Sequence, residues 1–165
     1  MITAPTDGAS RPTAGALRLV EPRSGNPASV DVSGYVEAMY GHCPFLEASI
    51  ARGMTGWTVY EIATGAERCA VEAELFHAAV HAAERVRLSA RRNGALGCEN
   101  IVLLAGASNT DHRKLMAWPH WALKHLYGPV GIMFGKFAQG VQGRDRFGRL
   151  IPAAPFSFLP VRASV

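Results

Sequence analysis

A long apolar stripe followed by a short apolar segment constrains most strongly what this chain can fold into. Between Cys69 and Arg92, apolar residues recur at the spacing of one helix face: Val71, Leu75, Ala79, Ala82, Val86 and Ala90. Asn93-Gly94 ends this pattern in the way that helices commonly end. The segment 100–105 is then almost continuously apolar between two glycines, as in a strand covered on both faces. The stripe and the apolar segment together predict a helix packed against a central strand.

Three other segments show the alternation typical of strands, at 57–62, 130–137 and 156–162. Pro160 indicates that the last of them lies at a sheet edge. Short helices are predicted around 30–40 and 46–52, and Pro119 divides a further helical segment into two. We therefore predict an α+β fold, with helices packed on a small mixed sheet of about four strands.

The N-terminal segment differs in composition from the rest of the chain. Residues 1–30 contain four prolines among Gly, Ser, Thr and Ala, and they show no period of 2 or 3.6. This composition predicts a flexible leader over 1–30. The remainder, 31–165, is the right length for a single domain with its own core.

Composition also limits the cellular setting and the partners. No apolar run approaches the length of about 18 residues that a membrane span needs, and no secretory signal is visible, so we predict a cytoplasmic protein without a membrane partner. The three cysteines are odd in number and widely spaced, which argues against a disulfide framework. The net charge of +4 permits an anionic partner, but the arginines are dispersed, so nucleic acid is not expected. A homodimer is compatible with the sequence.

Histidines flanked by tryptophans form the first candidate site. His120 lies between Trp118-Pro119 and Trp121, and a neutral imidazole among aromatic rings is typical of a heme ligand. The alternative is a histidine packed against indoles and hydrogen-bonded to a backbone carbonyl. His112 follows Asp111 in a predicted first helical turn, where the helix dipole lowers the pKa of an imidazole and favours its ligating form.

Two other groups of residues could bind a metal or act as nucleophiles. Cys43 precedes Pro44 at a predicted turn, where a thiolate could ligate iron or attack a substrate, although a free cysteine is more often a small buried apolar residue. His77 and His81 are one helical turn apart, a spacing that can place two imidazoles on one metal ion. Periodicity puts this pair on the solvent face of the helix, where exposed histidines usually have no ligand.

Glycines and arginines near the C-terminus could serve a cofactor or an acidic ligand. Gly131 and Gly135 are predicted to flank Met133 on one strand face, leaving a shallow floor. Arg144 and Arg146, with Lys136 and Arg149, could bind a carboxylate or a phosphate, or could belong to a solvated loop balanced by Asp145. The motifs of the common serine hydrolases, kinases and dehydrogenases are not present in the sequence.

Several of these segments together resemble a family. The motifs are Cys43-Pro44-Phe45, Trp118-Pro119-His120-Trp121, Gly131-Ile132-Met133-Phe134-Gly135-Lys136-Phe137 and Phe158-Leu159-Pro160-Val161-Arg162. They resemble an uncharacterised actinobacterial domain family over residues 40–165, and that family is similar to small heme-dependent N-oxygenases.

The resemblance implies a cytoplasmic oxidoreductase with heme b, acting in bacterial natural product biosynthesis. It would oxidise an amine or guanidine nitrogen of a small, amino acid-like substrate. His120, or else His112, would hold the iron, with Trp118 and Trp121 beside the ring and the Gly131, Met133 and Gly135 face as its floor. Arg144 or Arg146 would anchor a heme propionate or a substrate carboxylate.

Two alternatives belong to other functional classes. One is a cofactor-free cyclase or isomerase, in which a histidine is the general base and Cys43 assists. The other is a non-catalytic module that binds an acidic partner through the basic segment 140–149, and whose binding would weaken with salt.

Overall fold

The computed structural model describes residues 15–105 and 111–164. Its helices and strands follow one another along the chain in a mixed order. In chain order they are β1 (Leu17–Ser24), α1 (Ser33–Met39), α2 (Leu46–Ala51), β2 (Thr55–Ile62), α3 (Arg68–Asn93), β3 (Cys98–Leu104), α4 (His112–Leu115), α5 (Ala117–Tyr127), β4 (Ile132–Phe134) and β5 (Ser157–Ala163). Short 3-10 turns follow α3 and α5.

The strands form one mixed sheet in the order β1-β2-β3-β5-β4. The β2–β3 pair is parallel and the other three pairs are antiparallel. This confirms the predicted α+β fold, but the sheet has five strands instead of about four. The additional strand is β1.

The long helix α3 makes the parallel pair possible, because parallel neighbours need a crossover connection. It spans 26 residues, and the predicted stripe is confirmed: Val71, Leu75, Ala79, Ala82 and Val86 are buried. The central strand β3 is buried along its middle five residues, as its apolar sequence predicts.

Each face of the sheet carries its own apolar cluster. On one face, α3, α4 and α5 cover alternate residues of β3 and β5, including Ile101, Leu103 and Leu159. On the other face, the much shorter α1 and α2 pack over Trp57, Val102 and Phe158. Side chains alternate between these two layers because successive residues of a strand point to opposite faces.

The predicted flexible leader is wrong for Leu17–Ser24, which is the edge strand β1. It pairs with β2 alone, and the register shifts between Leu19 and Glu21 and again between Glu21 and Ser24. An edge strand with these irregularities tolerates Pro22 and needs no regular apolar alternation, so the sequence shows no strand pattern. Residues 1–14 of the predicted leader lie outside the described residues.

Pro160 does not mark a sheet edge, because β5 lies between β3 and β4. The carbonyl of Pro160 accepts the N–H of Gly135, while the proline has no N–H to return. Gly135 has to be small at this position: a Cβ built on it would lie 2.7 Å from Pro160 Cγ and 3.2 Å from Phe137 Cε2. The sheet therefore accommodates an interior proline opposite a glycine.

Among the described residues, none of the helices combines the length and the apolar character that a membrane crossing requires.

We expect Gly135→Ala to lower the free energy of unfolding by about 1–3 kcal/mol, because the methyl group meets a proline ring fixed in the neighbouring strand. Gly34→Ala is the matched control: Gly34 lies in α1, and a Cβ there meets nothing within 4 Å. The control should leave stability unchanged or raise it by up to about 1 kcal/mol. Urea denaturation of both variants measures the difference, and equal stabilities would contradict the packing argument.

Candidate ligand-binding site

An apolar cavity of about 230 Å³ lies between the sheet and the α1/α2 layer. The strand side of its wall comes from β2–β5 and the segment after β4: Trp57, Cys98, Asn100, Met133, Phe134, Gly135, Phe137, Phe158, Pro160 and Arg162. The opposite wall comes from α1, the following turn and α2: Tyr35, Val36, Met39, Cys43 and Leu46. A cavity of this size suits a small organic ligand.

Strand register brings the polar residues of the wall together. Trp57 is paired with Asn100, which is paired with Pro160. Two residues away on the same strands, Cys98 of β3 is paired with Arg162 of β5, and Arg162 is paired with Met133 of β4. Paired residues point to the same face of a sheet, so residues from four strands meet under α1 and α2.

Three hydrogen-bond donors of this wall are buried and lack a hydrogen-bond partner within the described residues. They are Tyr35 Oη, Trp57 Nε1 and Arg162 Nη1. Burial raises the pKa of Tyr35 to about 12, so its hydroxyl stays protonated near neutral pH. A buried donor left unpaired costs about 1–3 kcal/mol, and more when it is charged. These three groups are suited to a ligand that carries hydrogen-bond acceptors.

Arg162 gives the cavity a positive charge. Its guanidinium lies over the Phe45 ring, 5.0 Å from the ring centroid. Among the described residues it forms no ion pair with a carboxylate. Arginine remains protonated in proteins, so this wall attracts an anion.

The two cysteines of the wall differ in what they can do chemically. Burial raises the pKa of the Cys98 thiol to about 12, so Cys98 is a neutral thiol and not a nucleophile near pH 7. Cys43 is partly exposed, lies in the turn between α1 and α2, and also borders a small adjoining cavity. Of the sequence-predicted catalytic residues, Cys43 is the one in this wall.

His120, the predicted iron ligand, does not line this cavity. It lies half-buried on α5, and its Nε2 is 3.2 Å from the carbonyl oxygen of Phe134, to which it donates. The hydrogen bond to a backbone carbonyl that the alternative interpretation expects is therefore present. Burial lowers the pKa of His120, and the nearby Lys136 and Lys124 lower it further against the effect of this hydrogen bond.

His112, the second predicted ligand, begins α4 and contacts the start of β5. Its Nδ1 is 2.8 Å from Ser157 Oγ, and that oxygen also accepts the Gln139 N–H. Burial lowers the pKa of His112, against the opposing effect of the Asp111 carboxylate. The two candidate histidines thus occupy separate environments.

Trp118 and Trp121 do not enclose His120. Trp118 packs against Phe76 of α3, with ring centroids 5.6 Å apart, and is half exposed. Trp121 lies against His125 with centroids 4.5 Å apart and is 59% exposed. Neither indole lines the apolar cavity.

The two glycines of the predicted floor have different structural roles. Gly131 has a φ of +78° and ends the turn after α5, where a left-handed residue is needed. At Gly135, a side chain would collide with Pro160 and Phe137, as described above. Met133 and Gly135 line the cavity, whereas Gly131 does not.

Arg144 and Arg146 lie in an exposed loop away from the cavity. Arg144 Nη1 donates to the Gly148 carbonyl, and Arg146 lies over the Phe147 ring. Asp145 fixes this loop: it is 3.0 Å from His42 Nδ1 and accepts Arg149 Nε at 2.7 Å. Burial disfavours its charged form, but these bonds and the backbone N–H groups of Arg149 and Phe147 outweigh that effect and lower the pKa of Asp145.

The described residues do not fit the predicted heme site. The predicted ligand, floor and propionate anchors are dispersed: His120, Gly131, Arg144 and Arg146 do not line the cavity, whereas Met133 and Gly135 do. Within 15–105 and 111–164, no three His, Cys, Asp or Glu side chains are grouped to hold a metal ion. The heme hypothesis stays a prediction from the sequence.

Four residues of the cavity wall were not predicted as site residues from the sequence: Tyr35, Trp57, Asn100 and Arg162. One signal was present for the last of them: an arginine two residues after Pro160 in a strand that is otherwise apolar. Its alternation with buried Val161 places it on the face opposite the main helix layer. The residues that lie beside Arg162 depend on the order of the strands, which the sequence does not reveal.

Comparisons with family models, with curated proteins and with solved structures found no match. The geometry of the cavity is therefore the available evidence on ligand binding.

We expect a proton titration of His120 with a midpoint below the ordinary value of about 6.5, because burial disfavours the imidazolium ion. The unfolded chain then binds more protons than the folded chain just below that pH. Stability should be highest above pH 6.5 and fall as the pH decreases toward the lowered pKa. NMR titration gives the midpoint, and His120→Gln should reduce this loss between pH 7 and 5. A midpoint at or above 6.5 would contradict the assignment.

Asp145→Asn should loosen the loop around Arg144, Arg146 and Arg149, because the amide cannot replace the negative charge beside Arg149 and His42. Trypsin cleaves after arginine, so the variant should be cut in this loop several times faster than the unaltered chain. Asp31→Asn is the control, since within the described residues the exposed Asp31 carboxylate bonds only Ser33. Equal cleavage rates in both variants would show that Asp145 does not hold the loop.

Proposed function

We propose that this chain binds a small organic carboxylate with a flat apolar body in the cavity between the sheet and α1/α2. The observation that carries the proposal is the Arg162 guanidinium, whose buried Nη1 has no protein partner within the described residues and which lines an apolar cavity. A carboxylate can accept hydrogen bonds from a guanidinium and neutralise its charge.

Aromatic rings in the cavity wall are the reason for proposing a flat apolar body. Phe137 and Phe158 stack with centroids 4.9 Å apart, and Trp57 and Tyr35 pack against Phe158 at angles. Such a set of rings favours a planar ligand through offset and edge contacts. Tyr35 and Trp57 add two neutral donors for acceptor atoms at the ligand's polar end.

This ligand class agrees with the small, amino acid-like substrate that the resemblance implies, without requiring the heme. The cavity does not favour a cofactor-free enzyme with a histidine as general base, because no histidine among the described residues lines the cavity. Covalent chemistry at this site would depend on Cys43, since Cys98 is held as a neutral thiol.

Tryptophan fluorescence can report on this cavity. Of the three tryptophans, Trp57 is 2% exposed and lines the cavity, whereas Trp118 and Trp121 are exposed. In the variant Trp118→Phe/Trp121→Phe, emission comes from Trp57 alone. Benzoate, phenylacetate and hexanoate are the acids to titrate, and their neutral amides are the matched probes. We expect saturable changes with an acid and at least about tenfold weaker binding of its amide, because a charge-assisted hydrogen bond contributes about 1.5–3 kcal/mol.

Substitution of the arginine tests the same prediction from the protein side. Arg162→Gln should weaken the binding of the acid by about tenfold or more and abolish the preference over the amide, while Arg162→Lys should retain part of it. Arg146→Gln is the control, because Arg146 is exposed and is one of the two anchors that the sequence predicts. Equal binding of acids and amides, no saturable change with any acid, or sensitivity to Arg146 instead of Arg162 would contradict the proposal.

Thiol alkylation provides an independent readout in the unaltered chain. A bound acid should slow the reaction of Cys43 with iodoacetamide, whereas exposed Cys69 on α3 should react at an unchanged rate. Equal protection of both thiols would indicate a general effect on the protein and not occupation of the cavity.

A further inference from the structure

The exposed face of α3 carries two histidines whose ring nitrogens are close together. His77 Nε2 and His81 Nε2 are 3.3 Å apart, and the ring planes are nearly perpendicular. Neither imidazole makes another hydrogen bond or an ion pair within the described residues. Both side chains border an open cleft on the helix face of the sheet, away from the apolar cavity.

The separation of the two nitrogens is that of two ligands on one tetrahedral metal ion. Zinc binds imidazole nitrogen at about 2.0–2.1 Å, and two such nitrogens at the tetrahedral angle lie about 3.3–3.4 Å apart. As a hydrogen bond between neutral rings, 3.3 Å is longer than the usual range. A metal ion between the rings would replace this weak contact once the rings turn so that both nitrogens face it.

The helix holds the two residues in place from its opposite side. Leu75, Ala79 and Ala82 lie on the opposite face of α3 and are fully buried, so the helix backbone is fixed near the two histidines. The spacing of four residues then sets the distance between the rings. Less conformational entropy is lost on metal binding when the ligands are held in this way.

We propose that His77 and His81 form a two-histidine site for a zinc ion on the surface of α3. Water or an external ligand completes the coordination, since the described residues offer no third metal-ligating side chain grouped with this pair. This site is independent of the proposed carboxylate cavity, which lies on the other face of the sheet.

The charges around the cleft allow a cation. One turn before His77, the Glu74 carboxylate accepts the backbone N–H groups of residues 15–17 and remains negative. One turn after His81, the Arg85 guanidinium is directed toward Glu99, 3.7 Å away. Tyr60, the remaining titratable group of the cleft, has a pKa raised by burial and is neutral.

Isothermal titration of the untagged full chain with zinc chloride, under a phosphine reductant, tests the site. We expect one zinc ion per chain, with His77→Ala and His81→Ala each weakening binding by at least about tenfold, because even loss of a group that only supports a metal ligand costs 10–100-fold. Alanine favours the helix at both positions, so these variants should fold. His125→Ala on α5 and Cys69→Ser on α3 should leave the affinity unchanged.

Two further readouts identify the ligands. Zinc should shift the ring nitrogen resonances of His77 and His81 and leave those of His120 unchanged. Zinc should also raise the melting temperature of the unaltered chain and not that of His77→Ala. Unchanged affinity in both histidine variants, or loss of binding in Cys69→Ser, would overturn the proposal.

Discussion

The pairing of β3 with β5 is the contact on which both the core and the cavity depend. β5 comes from the end of the described chain, yet it lies beside the central strand and buries Leu159 and Val161 under α3 and α5. The same register sets Arg162 opposite Cys98 and Pro160 opposite Asn100 on the other face. Because strand residues alternate in direction, one register determines both layers, and a shift of one residue would exchange them.

The two faces of the sheet are covered unequally, and this difference explains where a ligand can bind. The 26-residue α3, with α4 and α5, closes one face with fully buried aliphatic side chains. The 7-residue α1 and 6-residue α2 cover the other face incompletely and leave a space lined by aromatic rings. A close-packed layer stabilises the fold, whereas a gap beneath short helices gives a ligand apolar surface to bury.

A cation at the wall of an apolar cavity is unfavourable unless an anion compensates it. Two arginines elsewhere in the described structure do have carboxylate partners: Arg149 bonds Asp145, and Arg23 bonds Glu99. Arg162 has the Phe45 ring and no carboxylate. This contrast, together with the cavity, is what supports our proposal of a ligand with a carboxylate.

The sequence by itself determined the α+β class, the buried stripe of α3, the central strand and the approximate positions of four strands, because these depend on local periodicity. It also placed Cys43 in a turn and His77 one helical turn before His81. Only the tertiary structure decided that β1 exists, that Pro160 is inside the sheet, and that Arg162, Trp57 and Tyr35 line one cavity while His120 and Arg146 do not. Those outcomes depend on strand order and register, which are contacts between residues far apart in the chain and leave no periodic signal in it.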